Sequence, residues 1–284
     1  MAINLEMPRK LEAVIEKAHQ GAAEMLRPIS RKYDLAEHAY PVELDTLATL
    51  FEGISEANTI SFAGTEAFRD SDQGPKGNIN GGNMSALLNA LEIAWGDIAL
   101  LLSVPRQGLG NAAISGVATD EQLERLGRNV WAAMAITEPS FGSDSAAVST
   151  TAVLDGDEYV INGEKIYVTA GSRATHIVVW ATLDKAKGRA AIKSFIVPRE
   201  HPGVTVERLE HKLGIKASDT AAIRFDNVRI PKENLLGSPD IEVEKGFAGV
   251  METFDNTRPI VAAMAVGVAR AALEELRTIL TEAG

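Results

Sequence analysis

The sequence has 284 residues, of which 45% are hydrophobic and 24% charged, and it carries a formal net charge of −11. This length allows one large or two ordinary domains with a sizeable core, and the composition is typical of a soluble globular protein. The negative charge argues against nucleic-acid and membrane-surface partners, and the lack of cysteine excludes disulfides, thiolate metal sites and a cysteine nucleophile.

The sequence carries no recognisable signal for targeting, membrane insertion or metal binding. The first 17 residues mix acidic and basic side chains without the apolar core of a signal peptide, and no apolar run reaches the roughly 18 to 20 residues of a membrane helix. The five histidines show no metal-ligand spacing. We therefore expect a cytoplasmic protein with no membrane span and no metal site.

The first part of the chain has the apolar periodicity of helices. Apolar residues three and four positions apart predict a helix over residues 8–26, which Arg27-Pro28 ends, and a second helix over 42–51. Glycine, aspartate and asparagine are frequent in residues 70–83, which predicts a loop, and a long helix is predicted over 85–103.

A capping box marks the last helix before the pattern changes. Thr119 and Gln122 have the spacing of this box, and Gly127 closes the helix that they open. After Trp131 the apolar period becomes two, which is typical of β-strands.

Short runs rich in β-branched residues follow, and two-residue turn signals separate some of them. Asp155-Gly156 and Asn162-Gly163 are strong hairpin signals, and the last run ends near Ile230. Strands are predicted over residues 148–154, 159–161, 165–169, 176–182 and 191–197. Their close spacing predicts an antiparallel sheet or a barrel-like domain.

From Gly246 onward the helical period returns as one long helix with a wide apolar face, in which Pro259 produces a local kink. The whole pattern predicts an α+β multidomain fold. A helical N-terminal domain covers residues 1–131, an antiparallel β-barrel or sandwich covers 132–240, and 241–284 begin a C-terminal helical bundle.

Two segments carry the strongest functional signal. Residues 134–144 combine backbone donors and small hydroxyls in a loop broken by Pro139 and Gly142, and residues 165–171 form a short β run that ends at a glycine. Together they could hold a flat, polar-edged ring from two sides. They resemble the two flavin-contacting segments of the acyl-CoA dehydrogenase family, and the helical–β–helical order of the chain resembles that family over nearly its whole length.

The resemblance implies an FAD enzyme of fatty-acid β-oxidation that desaturates acyl-CoA thioesters. In this family a base removes the α proton, and the β hydride passes to flavin N5. No amino acid accepts a hydride at useful potential, so a cofactor is obligatory. The resemblance further implies electron transfer to an electron-transferring flavoprotein and a homo-tetramer or homo-dimer.

The resemblance also implies a set of cofactor-binding residues. The backbone around Ile136 and the hydroxyl of Thr137 would meet the pyrimidine edge of the flavin, and Thr169 would lie close to N5. Tyr167 occupies a position where many relatives have tryptophan. A second interpretation makes the threonines and Ile136 ordinary strand residues. The full predicted set is Met134, Ile136, Thr137, Tyr167, Val168 and Thr169.

Ser143, Phe254, Asp255 and Arg258 are the predicted substrate-binding residues. Ser143 lies in a segment that resembles the family's contact with the pantetheine or phosphate of CoA, although Gly-Ser-Asp also forms a capped turn. Residues 254–258 match a family element that lines the acyl-CoA channel. Asp255 and Arg258 are three residues apart on a helix, so a surface ion pair is the alternative.

No catalytic base is predicted within this chain. Thr257 stands where the long-chain and branched-chain members carry their catalytic glutamate, and a threonine cannot replace it. The medium-chain-like branch takes its base from the C-terminal bundle, so we expect the base beyond Gly284 and interpret the sequence as a fragment. Glu138, which precedes a proline, is predicted to form structural hydrogen bonds.

Two alternatives remain open. An acyl-CoA oxidase or flavin monooxygenase would have the same fold and differ in its reaction with oxygen. A non-catalytic subunit that contributes a flavin half-site to a hetero-oligomer would also explain the missing base.

Overall fold

The computed structural model describes residues 9–49, 82–106, 109–127, 130–241 and 248–284. The loop predicted over 70–83 lies outside these residues, except for its last two positions, which are helical. Of the helix predicted over 42–51, residues 43–49 are helical and the last two lie outside the described part.

Helices form both ends of the described chain. Besides the helical residues 43–49, they are α1 (Arg9–Gly21), α2 (Arg27–Leu35), α3 (Gly82–Leu101), α4 (Leu109–Val117), α5 (Asp120–Leu126) and α6 (Ala248–Ala283). Thr119 and Gln122 form the predicted capping box at the start of α5, and Gly127 follows its last residue.

The prediction that Arg27-Pro28 ends a helix was wrong. A π-helical turn, Ala22–Leu26, joins α1 directly to α2, and Pro28 lies in the first turn of α2. A proline is tolerated there because its missing N–H would have no regular α-helical partner.

The middle of the chain forms one mixed seven-stranded sheet. Its strands are β1 (Ala132–Ala135), β2 (Thr151–Asp155), β3 (Glu158–Thr169), β4 (His176–Thr182), β5 (Ile192–Pro198), β6 (Val204–Leu209) and β7 (Thr220–Pro231). The order is β1-β4-β2-β3-β7-β6, and β5 pairs with β4. The predicted fold class is confirmed, with one refinement: β4 pairs in parallel with β1 and β2. The β2–β3 hairpin lies between β1 and β4 in the chain and supplies the long connection that a parallel pair requires.

One of the two predicted hairpin turns was wrong. Asp155 pairs with Glu158 across the turn at Gly156, as predicted, but Asn162-Gly163 lies inside β3 at a register shift against β7. At Gly163 a Cβ atom would lie 2.3 Å from Oγ1 of Thr150. The glycine therefore permits a close approach of two strands and does not reverse the chain.

The long helix α6 packs along α3 so closely that a Cβ atom at Gly267 would lie 2.1 Å from the carbonyl oxygen of Leu91. By length and composition alone, residues 84–101 of α3 could cross a membrane, with a mean hydropathy of 1.4 and half of this window buried inside the protein. Glu92 lies within the window and is bound to Arg270 of α6 and to His19 of α1. A buried core helix has the same composition, and these contacts are those of a core helix.

Candidate active site

A cavity of about 560 Å³ lies where β1 and β3 meet α6. Its walls combine many apolar side chains with a few hydroxyl groups and one guanidinium. The polar side chains on the wall are Thr137, Ser143, Ser145, Tyr167, Thr169, Thr257 and Arg258. A mostly apolar cavity with a few oriented polar groups is typical of small-molecule and cofactor sites.

The structure brings most of the predicted site residues to this cavity. Met134, Ile136 and Thr137 line it from the end of β1 and the loop that follows, Tyr167 and Thr169 from β3, and Ser143 and Arg258 from the loop and α6. Segments that are far apart in the sequence thus line one cavity. Their binding roles stay predictions.

Two predicted residues are placed differently, and a third cannot be compared. Val168 is fully buried in the sheet core and does not line the cavity. Asp255 is exposed, does not line the cavity and lies 3.7 Å from Arg258, which is the alternative ion pair. The side chain of Phe254 lies outside the described residues.

Most of the apolar lining of the cavity was not predicted from the sequence. It consists of apolar side chains from the C-terminal end of α3, from the start of β1 and from α6, among them Leu101, Leu102, Trp131, Ile260 and Met264. These residues have the helical or strand spacing of ordinary core positions. Nothing in that pattern separates a cavity wall from a packed core.

A bulge in β3 lies beside the hydrogen bond that joins the two functional segments. The pairing of β3 with β7 shifts between Lys165 and Val168, and Tyr167 has a positive φ of 57° with its side chain 61% exposed. Next to the bulge, the amide of Ile166 donates to the carbonyl of Thr137 at 2.9 Å. A tyrosine in this backbone region is uncommon, and the sequence carries no signal for it.

A buried ion pair lies behind this wall. Nζ of Lys165 is 2.8 Å from Oε1 of Glu138, and the two side chains are 0% and 3% exposed. The carboxylate also accepts hydrogen bonds from the backbone amides and hydroxyls of Ser149 and Thr150. Lys165 donates a further bond to the carbonyl of Ile136 at 3.1 Å. Glu138 therefore has the structural hydrogen-bonding role that the sequence predicted.

The pair perturbs the titration of both groups. Burial alone would raise the pKa of Glu138, but the charge of Lys165 and the hydrogen bonds from Lys165, Ser149 and Thr150 lower that pKa to about 2. Burial lowers the pKa of Lys165 to about 8, despite the attraction of Glu138.

We expect the protein to lose stability in acid because of Glu138. Its pKa falls from 4.5 to about 2 on folding, so the stabilisation is complete above pH 4.5 and disappears as the pH falls toward 2. A shift of this size corresponds to about 3 kcal/mol. The free energy of unfolding, measured with urea, should decrease from pH 6 to pH 3, and the decrease should be smaller in a Glu138→Gln variant than in the wild type. An equal loss in both proteins would assign the acid sensitivity to other carboxylates.

No carboxylate lines the cavity among the described residues, where Arg258 is the charged side chain on the wall. Thr257 is 7% exposed and lines the cavity, but a hydroxyl is not a base at neutral pH. The location of the catalytic base beyond Gly284 stays a prediction.

Two histidines and a glutamate lie close together outside the cavity lining, a grouping that their spacing in the sequence did not show. Ligand atoms of Glu37, His38 and His211 lie within 4.8 Å of one another. The carboxylate of Glu37 accepts hydrogen bonds from Nδ1 of His211 and from the amide of Lys212, so hydrogen bonding accounts for its position beside His211.

Comparison with known proteins decides the family. The family model for the acyl-CoA dehydrogenase middle domain matches residues 133–228. The short-chain-specific acyl-CoA dehydrogenase of Clostridium acetobutylicum is 30% identical over 99% of this chain and 70% of its own length. The chain belongs to the acyl-CoA dehydrogenase family. A solved family member, butyryl-CoA dehydrogenase from Megasphaera elsdenii, superposes with a TM-score of 0.77 at 28% identity, covering 96% of this chain and 69% of that one.

Other relatives bear on the cofactor and the redox partner. A subunit of the caffeyl-CoA reductase–Etf complex of Acetobacterium woodii is 37% identical over 70% of this chain and 53% of its own length. A glutaryl-CoA dehydrogenase from Mycobacterium smegmatis, solved with FADH2, is 25% identical with a TM-score of 0.75, and the match covers 94% of this chain and 64% of that one. These findings confirm the predicted family, its oxidoreductase class and FAD as its cofactor.

Proposed function

We propose that this chain forms the flavin and thioester site of an acyl-CoA dehydrogenase that desaturates an acyl-CoA thioester and passes electrons to an electron-transferring flavoprotein. The observation that carries the proposal is that the two predicted flavin segments line one cavity, together with Ser143 and Arg258. In this reaction the substrate loses a proton from the α carbon and a hydride from the β carbon and gains a double bond between them.

The cavity fits a flavin in size and in chemistry. Its volume of about 560 Å³ lies within the usual range for cofactor sites. Ile136, Thr137, Tyr167 and Thr169 would hold the ring, since the cavity lining offers both hydroxyl donors and apolar side chains. FAD, when bound, supplies the hydride acceptor that amino acids lack.

Arg258 and Ser143 are the proposed contacts with the thioester ligand. CoA is anionic and the chain has a net charge of −11, so the ligand requires local donors against an unfavourable overall field. The side chain of Arg258 is 62% exposed and lines the cavity, and Ser143 adds an uncharged donor to the same lining. Phe254 and Asp255 stay predictions for the same ligand.

An anaerobic absorbance titration tests the proposal. The protein is loaded with FAD, and acyl-CoA thioesters of several chain lengths are added while the flavin band is recorded. Bleaching would support dehydrogenase chemistry and rank the substrates. A bound flavin that stays oxidised would point to a chain without its base, and failure to bind FAD would remove the proposal in favour of a non-catalytic subunit.

The same material separates the related reactions of this fold. The Acetobacterium relative is named a reductase, so the reduced protein should also be titrated with an enoyl-CoA. Faster reoxidation by air than by a dye acceptor would favour an oxidase.

Replacing Thr169 by valine should weaken FAD binding about five- to tenfold, because one hydrogen bond of about 1 kcal/mol is lost while the side-chain volume is kept. Flavin fluorescence quenching measures this affinity. Thr205→Val, on the exposed edge strand β6, is the matched control and should bind FAD like the wild type. Equal affinity in all three proteins would count against the role of Thr169.

Replacing Arg258 by alanine should raise the Kd for acyl-CoA about tenfold or more, because a hydrogen bond to a charged group contributes about 1.5–3 kcal/mol. The melting temperature should change little, since the side chain is exposed. Arg277→Ala, also on the exposed side of α6, serves as the control. A lower melting temperature with unchanged ligand affinity would make Arg258 a structural residue.

A further inference from the structure

One buried ammonium group lies behind both flavin segments. Lys165 immediately precedes the β3 bulge, is 0% exposed and is not among the residues that line the cavity. Its Nζ atom donates to the carbonyl of Ile136, the residue that follows β1, and to the carboxylate of Glu138 two residues later. The ammonium group of Lys165 thus links β3 to the segment that follows β1.

The charge of this group is fully compensated. Glu138 supplies the counter-ion, and the hydroxyls and amides of Ser149 and Thr150 bind the carboxylate oxygens. A buried pair of this kind is seldom a net source of stability, because desolvation offsets the attraction. Its geometry is nevertheless specific, since each polar atom has a defined partner.

A hydrophobic residue at position 165 would leave only one described bond between the segments. The amide of Ile166 donates to the carbonyl of Thr137, but nothing else described would hold the carbonyl of Ile136. That peptide unit is part of the wall proposed to meet the flavin edge, and an error of about 1 Å in such a wall is costly for binding.

We infer that Lys165 is a positioning residue for the proposed flavin site: its ammonium group fixes the carbonyl of Ile136 and the carboxylate of Glu138, and so holds the β1 loop, residues 136–141, against β3. The role in cofactor binding rests on the proposed function. The role in holding the loop does not, so the two can be tested apart.

The test uses a double variant that removes the charges of both Lys165 and Glu138, so that neither charge is left buried without its partner. Lys165→Met together with Glu138→Gln removes both charges at similar side-chain volume, whereas Lys165→Met alone leaves the carboxylate without its counter-ion. Lys232→Met is the matched control, because Lys232 pairs with Asp157 at the far hairpin and lies outside the cavity.

Hydrogen exchange of the flavin-free protein tests the loop directly. In the double variant we expect the amides of Ile166 and of residues 136–138 and 140–141 to exchange about tenfold faster, while β4 and β5 stay protected. Lys232→Met should exchange like the wild type. Unchanged exchange of the β1 loop in a folded double variant would overturn the inference.

A second measurement needs no variant. The ammonium protons of Lys165 should exchange slowly with water in ¹⁵N NMR spectra of the wild type, because two acceptors hold them in the core. Exchange as fast as that of the exposed Lys232 would also overturn the inference.

FAD affinity then separates positioning from general stability. We expect the double variant to melt within a few degrees of the wild type and to bind FAD about tenfold more weakly. Wild-type affinity in that variant would overturn the positioning role. If even the wild type binds no FAD, the proposed function fails, and the exchange data alone decide whether Lys165 holds the loop.

Discussion

Replacing Glu138 by glutamine should destabilise the protein by about 3–5 kcal/mol, because the change leaves a buried cation without its counter-ion. Lys165 is completely buried and cannot reach water to recover its hydration. The urea midpoint at neutral pH measures the loss. Glu207→Gln removes the exposed partner of Arg224 and should change the free energy of unfolding by less than about 1 kcal/mol.

The outcome also separates two roles of this carboxylate. If Glu138 is structural, the variant loses stability but retains whatever α-proton exchange the wild-type protein shows with acyl-CoA. A stable, flavin-loaded variant that has lost this exchange would make Glu138 the base, in conflict with its five hydrogen-bonding contacts in the structure.

The second large effect is expected at Gly267, where α6 crosses α3. An alanine there would place its Cβ atom 2.1 Å from the carbonyl oxygen of Leu91 and 3.1 Å from the amide nitrogen of Trp95, both backbone atoms. The helices would have to separate, at a cost of about 1–3 kcal/mol that exceeds the roughly 1 kcal/mol gain in helix propensity.

Gly21→Ala is a control for which we expect the opposite change in stability. It ends α1 with helical φ and ψ, and a Cβ atom there would meet nothing within 4 Å. Gly21→Ala should therefore raise the melting temperature while Gly267→Ala lowers it, with thermal unfolding as the measurement. If both variants were stabilised, the close contact between α3 and α6 would be wrong.

Local signals predicted local structure well. The capping box at Thr119 and the turn at Gly156 depend on residues within four positions of each other, and the structure confirms both. Asn162-Gly163 has the same hairpin signal as Asp155-Gly156, yet it lies inside a strand. Its environment includes Thr150 and the amide of Asn227, which binds the side chain of Asn162.

In the candidate site, too, some residues were predicted from the sequence and others were recognised only in the tertiary structure. Thr137, Thr169 and Arg258 were predicted because their segments carry a distinctive order of residue types. Leu101 and Met264 have no such order and become cavity residues only through the packing of α3 and α6. Val168 belongs to a predicted segment, but the alternation of the strand turns its side chain into the core.

From its periodicity, the sequence by itself predicted the order of helical, β and helical parts. Its resemblance to the acyl-CoA dehydrogenase family predicted the two segments that line the cavity. Only the tertiary structure decided how the segments meet. The bulge at Tyr167, the bond between Ile166 and Thr137 and the burial of Lys165 all arise from contacts between strands that are distant in sequence. Such contacts depend on the packing of the whole sheet, so no local pattern predicts them.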